Sequence, residues 1–267
     1  FLMLTKAIIP CYKKEVAKSF DRAASTYDDF SQFQANVLMR LVSMCPNVSP
    51  RFSLDLGCGT GNAAAFLAPI STQLVNLDLS ENMLEKAQQK NTGSFPVCGD
   101  AEVLPFKSSV FDLVFSSLSI QWCENLDSLA SEVERVLSPE GLFVVSTLSK
   151  DSMPELAHCW QQVDGHTHIN HYPTYDRLIS QIKEAGFELV KSVCEPLTMW
   201  FDSSRAAIDS LKKVGASVLI EEDERQVVTP AMWRAFLLEY EKLRTDKGIP
   251  LTYQLVYLHL KKEKRVN

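Results

Sequence analysis

Hydrophobic positions along this chain switch repeatedly between a helical and a strand period. Val16, Phe20, Ala23, Ala24, Tyr27 and Phe30 recur every three or four residues, and Phe33, Val37, Leu38, Leu41 and Val42 extend the pattern. Residues 12–44 therefore read as helix, with Ser31 placed to cap the second run. From residue 52 the pattern changes. Apolar runs at Phe52–Leu56, Gln73–Leu79, Phe95–Cys98, Phe111–Ser116 and Gly141–Leu148 read as strands, the fourth continuous enough to be buried on both faces. Helical stretches follow at 62–68, 81–90 (capped by Ser80) and 125–137, where Leu126, Leu129, Ala130, Val133, Val136 and Leu137 share a face. Such alternation before residue 150 predicts an α/β fold with a parallel sheet and right-handed crossovers.

The second half is less regular. Helices are expected at 152–163, with Pro154 in the tolerated first turn, at 175–184 ended by Gly186, and at 203–216 and 230–243. A sixth strand falls within 187–201, where Pro196 predicts an edge or a break. The alternation of Leu251, Tyr253, Leu255 and Tyr257 predicts a last strand over 251–260. Glu221 to Glu224 reads as a solvated turn, Lys261 to Arg265 as a solvated basic end, and Phe20 and Phe30 as core.

Composition narrows the class. With 267 residues, 46% hydrophobic and 22% charged, the chain suits one large domain with insertions. A net charge of −6 argues against general nucleic-acid binding. The 7 cysteines are odd in number, widely spaced and without a CxxC pair, which fits a reduced, cytoplasmic chain. No apolar run spans a bilayer, and the apolar start is short and lacks a basic leader and cleavage site. The sequence sets no oligomeric state.

Candidate chemistry centres on Arg51 to Gly61, where an apolar run ends in Gly57, Gly59 and Gly61 ahead of an alanine-rich helix. Strand, glycine turn and helix let backbone N–H groups approach a ligand closely. Asp78, at the end of the second strand and about 20 residues on, is placed to accept from two ribose hydroxyls. Asp100, after the third strand, is placed to accept from an adenine amine. Tyr27 and Gln34 are polar positions on helices that could cover a pocket, and Ser117 to Trp122 opens the fourth strand into it. His166, His168 and His171 have no nearby Cys or acidic ligand at a recognised spacing, and Pro173 predicts a loop, so no metal is expected; His171 is kept as substrate-facing.

The motifs Leu54-Asp55-Leu56-Gly57-Cys58-Gly59-Thr60-Gly61, Leu77-Asp78-Leu79-Ser80 with Met83, Gly99-Asp100-Ala101-Glu102 with Leu104-Pro105-Phe106, and Phe111-Asp112-Leu113-Val114 resemble the class I S-adenosylmethionine-dependent methyltransferases. That resemblance implies a Rossmann-like, seven-stranded, mostly parallel sheet with a reversed last strand. Asp55 and the glycines would surround the methionine end of S-adenosylmethionine, Asp78 would hold the ribose, Met83 would pack on adenine, and Asp100 with Ala101 would read its amine. Gln34, Leu79, Glu102, Ser117 and Leu118 are assigned to the same cofactor site. A dinucleotide also fits Gly59, Gly61 and Ala64, but the Gly-Asp-Ala-Glu and Pro-Phe elements speak against it.

A narrower resemblance extends over nearly the whole chain. Val16 to Ala24 with Tyr27 and Gln34, Leu118 to Cys123, Ser152 to Leu156 with Trp160, Val163 and Asp164, Trp200-Phe201-Asp202, Ser210-Leu211-Lys212 with Gly215-Ala216, and Pro250 to Gln254 resemble the malonyl-[acyl-carrier protein] O-methyltransferases of biotin synthesis. Ser117 stands where that pattern expects Asn, and His171-Tyr172 where it expects Arg and an aromatic. The resemblance implies methylation of a malonyl thioester on its free carboxylate, carried by acyl-carrier protein or coenzyme A. Tyr27, Gln121, Trp122 and His171 are the expected catalytic or acceptor-binding residues, with Arg22 and Lys212 as further donors. Lys191, Arg205, Lys212 and Lys213 are candidates for a patch that docks the carrier. Rival readings are a methyltransferase of a quinone precursor or other small metabolite, and a non-catalytic cofactor-binding assembly factor. The expected organisation is an N-terminal helical cap (1–50), a cofactor-binding core (51–150), a lid insertion (151–173), a core continuation (174–201), a helical lid insertion (202–250), and a last strand with tail (251–267).

Overall fold

The computed structural model describes residues 11–216, 218 and 227–264. The expected turn at Glu221–Glu224 and the residues before Cys11 lie outside the described residues. Strands β1 (Phe52–Leu56), β2 (Gln73–Asp78), β3 (Phe95–Cys98), β4 (Phe111–Ser117), β5 (Leu137–Leu148), β6 (Phe187–Phe201) and β7 (Ile249–Lys262) form one sheet of order β3-β2-β1-β4-β5-β7-β6. The first five are parallel, and β7 runs antiparallel between β5 and β6. This is the expected seven-stranded sheet with a reversed last strand. β1, β2 and β4 are buried through their middles, so their apolar runs do not alternate.

Helices cover both faces. One apolar cluster joins α3 (Gln32–Val42), α4 (Ala64–Ile70), α7 (Pro154–Val163), α9 (Ser204–Lys213) and α10 (Pro230–Glu241) to the sheet through Val37, Leu41, Leu67, Trp160, Ala207 and Phe236. The other seats α6 (Leu126–Val136) and α8 (Tyr175–Glu184) through Leu129, Val133, Leu178 and Ile182. α1 (Cys11–Ala23), α2 (Tyr27–Phe30) and α5 (Glu81–Lys90) complete the described helices. Pro196 lies in β6, the edge strand, where its missing N–H costs no ladder bond.

Several expectations shift. Ser31 does not cap α3 with its side chain; its hydroxyl donates instead to the Asp28 carbonyl at 3.3 Å. Ser80 does cap α5, accepting from Met83 N–H at 3.1 Å. β5 begins at Leu137 rather than at Gly141, with an irregularity in its pairing with β4. The last strand starts at Ile249 rather than 251 and reaches Lys262. Lys261 and Lys262 are not a free basic end: Lys261 Nζ pairs with Glu140 at 3.0 Å, and Lys262 Nζ donates to the Glu134 and Leu137 carbonyls. Phe30 is 40% exposed beneath the Lys213 ammonium, 3.8 Å from its ring centroid, and is not core.

Candidate active site

The order β3-β2-β1-β4-β5 reverses direction between β1 and β4, and ligands in open α/β sheets bind outside the carboxyl ends of strands at such a point. A cavity of about 220 Å³ opens there. The loop after β1 is drawn across the sheet because the Gly57 and Cys58 N–H groups both donate to the Leu77 carbonyl, at 2.7 and 3.0 Å. Gly57 has φ +71°, and a Cβ there would lie 1.8 Å from Ser119 Oγ. Only glycine lets the loop and the segment after β4 approach this closely.

Acidic groups line one side of the cavity. Asp55, next to the end of β1, is nearly fully buried, and its Oδ2 has no hydrogen-bond partner. Burial first, and then the neighbouring charge of Asp78, push its pKa up to about 8. The Asp78 carboxylate is oriented by backbone donors, Gly59 N–H at 2.9 Å on one oxygen and Ser80 N–H at 2.9 Å on the other. Its pKa is raised by burial, against the pull of those N–H groups. Gln34 Oε1 is a second buried acceptor without a partner.

The helical cap closes the other side. Lys13, Val16, Ala17 and Phe20 on one face of α1 line the cavity. Asp21 fastens α1 to the core by accepting from Ser80 Oγ and Asn82 N–H. α2 is fastened through Asp28, which accepts from Thr60 Oγ1 at 2.7 Å and pairs with Lys90 at 2.6 Å. Burial acts to raise the Asp28 pKa, but the bonds from Lys90, Thr60 and Asn62 outweigh it and hold the group below the usual carboxylate range. This anchors the adjacent Tyr27 over the cavity, where burial first, then Asp78 and Asp28, raise its pKa and keep the phenol protonated.

A smaller chamber of about 50 Å³ adjoins the first and shares Phe20, Tyr27, Gln34, Leu118 and Trp122 with it. Its remaining wall comes from segments far apart in sequence, including Gln121, Met153, Tyr172, Leu211 and Tyr253. The volume admits roughly three to five water-sized groups. Gln121 Nε2 donates to the Leu118 carbonyl at 2.8 Å, leaving Oε1 buried without a partner.

Of the expected cofactor residues, Gln34, Asp55, Gly57, Gly59, Asp78, Leu79, Asp100, Ala101, Ser117 and Leu118 line the larger cavity, as do Tyr27 and Trp122 of the catalytic set. Gly61, Met83 and Glu102 do not. Gly61 packs against α5, where a Cβ would lie 2.8 Å from that of Ala87. Met83 is buried beneath the same helix. Glu102 is engaged by Lys13 and by Asn125 N–H. Gln121 belongs to the smaller chamber alone, and His171 is exposed and lines neither. His168 Nε2 lies 2.6 Å from Asp164 Oδ2. Arg22 Nε donates to the Lys18 carbonyl and the Lys212 ammonium lies 5.0 Å from the Trp233 ring centroid, so neither of these expected donors is on the chamber wall.

Sequence reasoning missed Lys13, whose Nζ lies 2.7 and 2.6 Å from the two Asp100 oxygens. Its helical spacing from Val16, Ala17 and Phe20 was the available signal, but a lysine on that stripe reads as solvated. Phe20, expected in the core, stands at the junction of the two cavities, edge-on to Trp122 with ring centroids 5.5 Å apart.

Residues 54–145 match the family model for a methyltransferase domain. The chain is 45% identical over 252 residues to the malonyl-[acyl-carrier protein] O-methyltransferase of Marinomonas sp. (strain MWYL1), covering 92% of this chain and 93% of that protein. The biotin biosynthesis bifunctional protein BioHC of Cellvibrio japonicus (strain Ueda107) is 36% identical over 250 residues, covering 93% of this chain and 50% of its own length. Among solved structures, an S-adenosylmethionine dependent methyltransferase from Mesorhizobium loti aligns with a TM-score of 0.51 and 20% identity, over 84% of this chain and 96% of that one.

Proposed function

The chain belongs to the malonyl-[acyl-carrier protein] O-methyltransferases, S-adenosylmethionine-dependent enzymes, and from that membership we propose the roles its own residues play. It methylates a malonyl thioester in biotin biosynthesis, a context given by the name of its bifunctional relative. In our reading the acceptor is the free carboxylate of a malonyl group held on acyl-carrier protein, and the product is its methyl ester. The observation that carries this reading is the pair of adjoining cavities, one holding the carboxylates of Asp55 and Asp78 among apolar side chains and the other lined by apolar and phenolic ones.

The residues of the larger cavity fit the cofactor. Asp55 Oδ2 and Gln34 Oε1, buried acceptors without partners, suit the ammonium of its methionine end. Asp78, fixed by two backbone N–H groups, suits ribose hydroxyls, while Leu79 and Ala101 suit the adenine face. When bound, S-adenosylmethionine supplies the sulfonium methyl: the carboxylate oxygen forms a bond to that carbon as the sulfur–carbon bond breaks, its electrons staying on sulfur.

No proton moves in this transfer, because the acceptor carboxylate is ionised near neutral pH. The protein therefore needs no general base. Its work is to align the acceptor at the junction of the cavities and to exclude water, which together contribute roughly 7–11 kcal/mol in well-oriented reactions. Phe20, Leu118 and Trp122 wall the junction, and Tyr27 supplies a protonated hydroxyl there. Residues of α1–α3, the segment after α7 and the end of α9 act as the lid. The small volume of the second chamber suits a short acyl end such as malonyl.

Arg22 of α1 and Lys212 and Lys213 of α9 are exposed, and the two helix ends are tied by the Thr26 hydroxyl donating to the Lys213 carbonyl at 3.3 Å. This cationic surface is our candidate for docking an acidic carrier. No helix among the described residues is long and apolar enough to cross a membrane, and a biosynthetic role on a carrier protein places the enzyme, in our reading, in the cytoplasm.

Methyl transfer from labelled S-adenosylmethionine to malonyl-carrier protein and to malonyl-coenzyme A, assayed side by side, tests the reading. Transfer to the malonyl group with preference for the carrier is expected. Tight cofactor binding without transfer to either would sink it.

A further inference from the structure

A carboxylate entering a chamber closed to water needs donors to replace its hydration. The usual solution is a cation, yet among the described residues no Lys, Arg or His lines the smaller chamber. His171 is exposed and outside it. What the wall offers instead is neutral donors, the side chains of Gln34, Gln121 and Trp122 and above all phenols. Besides Tyr27, two tyrosines from opposite ends of the second half of the chain converge there, Tyr172 and Tyr253.

Both are held by structure that explains their position. Tyr253 lies on β7, 5% exposed, with Phe33 of α3 stacked on its ring at a centroid distance of 3.9 Å. The strand is pinned on either side of it. Thr252 N–H donates to Glu155 at 3.1 Å, Met153 N–H donates to the Thr252 carbonyl at 2.6 Å, and Gln254 N–H donates to Ser152 Oγ at 3.0 Å. Tyr172 is fixed through its neighbour, since Lys150 N–H donates to the Pro173 carbonyl at 2.9 Å. Burial raises the pKa of both phenols, in Tyr172 against a hydrogen bond from the Asn170 side chain, and so favours the protonated hydroxyl in each.

We propose that Tyr172 and Tyr253 are acceptor-specificity residues, and that their hydroxyls, with that of Tyr27, form an uncharged site for the malonyl carboxylate. This rests on the malonyl reading above. The lack of a cation among the described residues of the wall has a physical logic. The carboxylate loses its charge as the ester forms, so a fixed cation would stabilise the charged ground state more than the transition state and would slow transfer. Phenolic donors hold the anion through charge-assisted hydrogen bonds while giving up less when that charge disappears. The same donors leave the neutral ester product weakly held, which favours its release.

The experiment compares Tyr172→Phe and Tyr253→Phe with the wild type, using malonyl-carrier protein as acceptor. Steady-state kinetics and calorimetric titration of S-adenosylmethionine are run on each protein. Each variant is expected to raise the acceptor KM by roughly tenfold or more, the effect of losing a hydrogen bond to a charged group. Cofactor affinity should stay at the wild-type level, which also reports that the variant is folded. Competitive inhibition by the methyl ester product should change far less than acceptor KM, because the product carries no anionic oxygen. An unchanged acceptor KM in both variants, with the wild type active, overturns the proposal while leaving the malonyl reading intact. So does a loss of ester affinity equal to the loss for the acid, which would mark the tyrosines as packing only. A wild type that transfers nothing to the malonyl thioester overturns both.

Discussion

Lys13 of the first helix grips Asp100, at the far side of the cofactor cavity and 87 residues away, with 2.7 and 2.6 Å between its Nζ and the two carboxylate oxygens. The pair is almost wholly buried, and Glu102 joins it. The carboxylate expected to read an adenine amine is thus already paired with a cation of α1, so in our reading cofactor recognition and closure by α1 would share one group.

Lys13→Met should leave Asp100 and Glu102 as two buried carboxylates without a cation. Breaking a buried pair from one side typically costs about 3–5 kcal/mol. The expected result is a lower denaturation midpoint by that measure, largely restored when Asp100→Asn and Glu102→Gln are added. A single variant as stable as the wild type would show that the pair is solvated in the working protein.

Cofactor affinity should depend on pH through Asp55. Burial and Asp78 raise its folded pKa to about 8, so the folded chain holds a proton that the unfolded chain releases near pH ~4. Stability of the cofactor-free protein therefore falls as pH rises through that window. An ammonium set against Asp55 favours the carboxylate, so binding expels the proton and strengthens with pH. The expected slope is up to about tenfold in affinity per unit between about pH 6 and 8. Titration calorimetry in buffers of different ionisation enthalpy would detect the released proton, and Asp55→Asn should abolish both the release and the slope. A flat profile in the wild type would place the partner of Asp55 elsewhere.

The glycines of the loop should separate by phenotype. A Cβ at Gly59 meets no atom within 4 Å, but φ +53° strains it. Gly59→Ala should cost about 1 kcal/mol of stability while sharply weakening cofactor binding, because the methyl group enters the cavity. Gly61 has φ +79° and faces Ala87 Cα at 2.9 Å, so Gly61→Ala should cost about 2–4 kcal/mol and displace α5. Thermal melts beside cofactor titrations distinguish the two, and equal stability losses would contradict the assignment.

Tyr27 stands at the junction of the cavities on a helix fastened through Asp28. Tyr27→Phe is expected to reduce methyl transfer by roughly 10- to 100-fold, the range for a lost charge-assisted bond, with the melting temperature held. Gln121→Ala, confined to the smaller chamber, should affect acceptor kinetics and leave cofactor affinity untouched. Transfer that is indifferent to both changes would place the donors that hold the acceptor elsewhere.

What the sequence determined by itself was the grouping of strand-end residues that line the larger cavity. Asp55, Gly57, Gly59, Asp78 and Asp100 sit at strand ends or in the turn that follows, and a strand–turn–helix unit fixes where its own residues point. The run of apolar strands likewise announced a parallel sheet, and only its exact ends and the irregular start of β5 needed coordinates. Local periodicity also misled: Phe20 looked like core because a stripe does not reveal what it faces, and nothing in the spacing of the glycines announced that α5 packs where a Cβ of Gly61 would lie. Tertiary structure decided which residues share the smaller chamber, our proposed acceptor site. Phe20, Gln121, Tyr172, Leu211 and Tyr253 come from five separate stretches, and their meeting depends on how β7 inserts between β5 and β6 and on how the cap folds over the sheet. Contacts between residues so distant leave no period in the chain, because they are set by packing of whole elements and not by the bonds between neighbours.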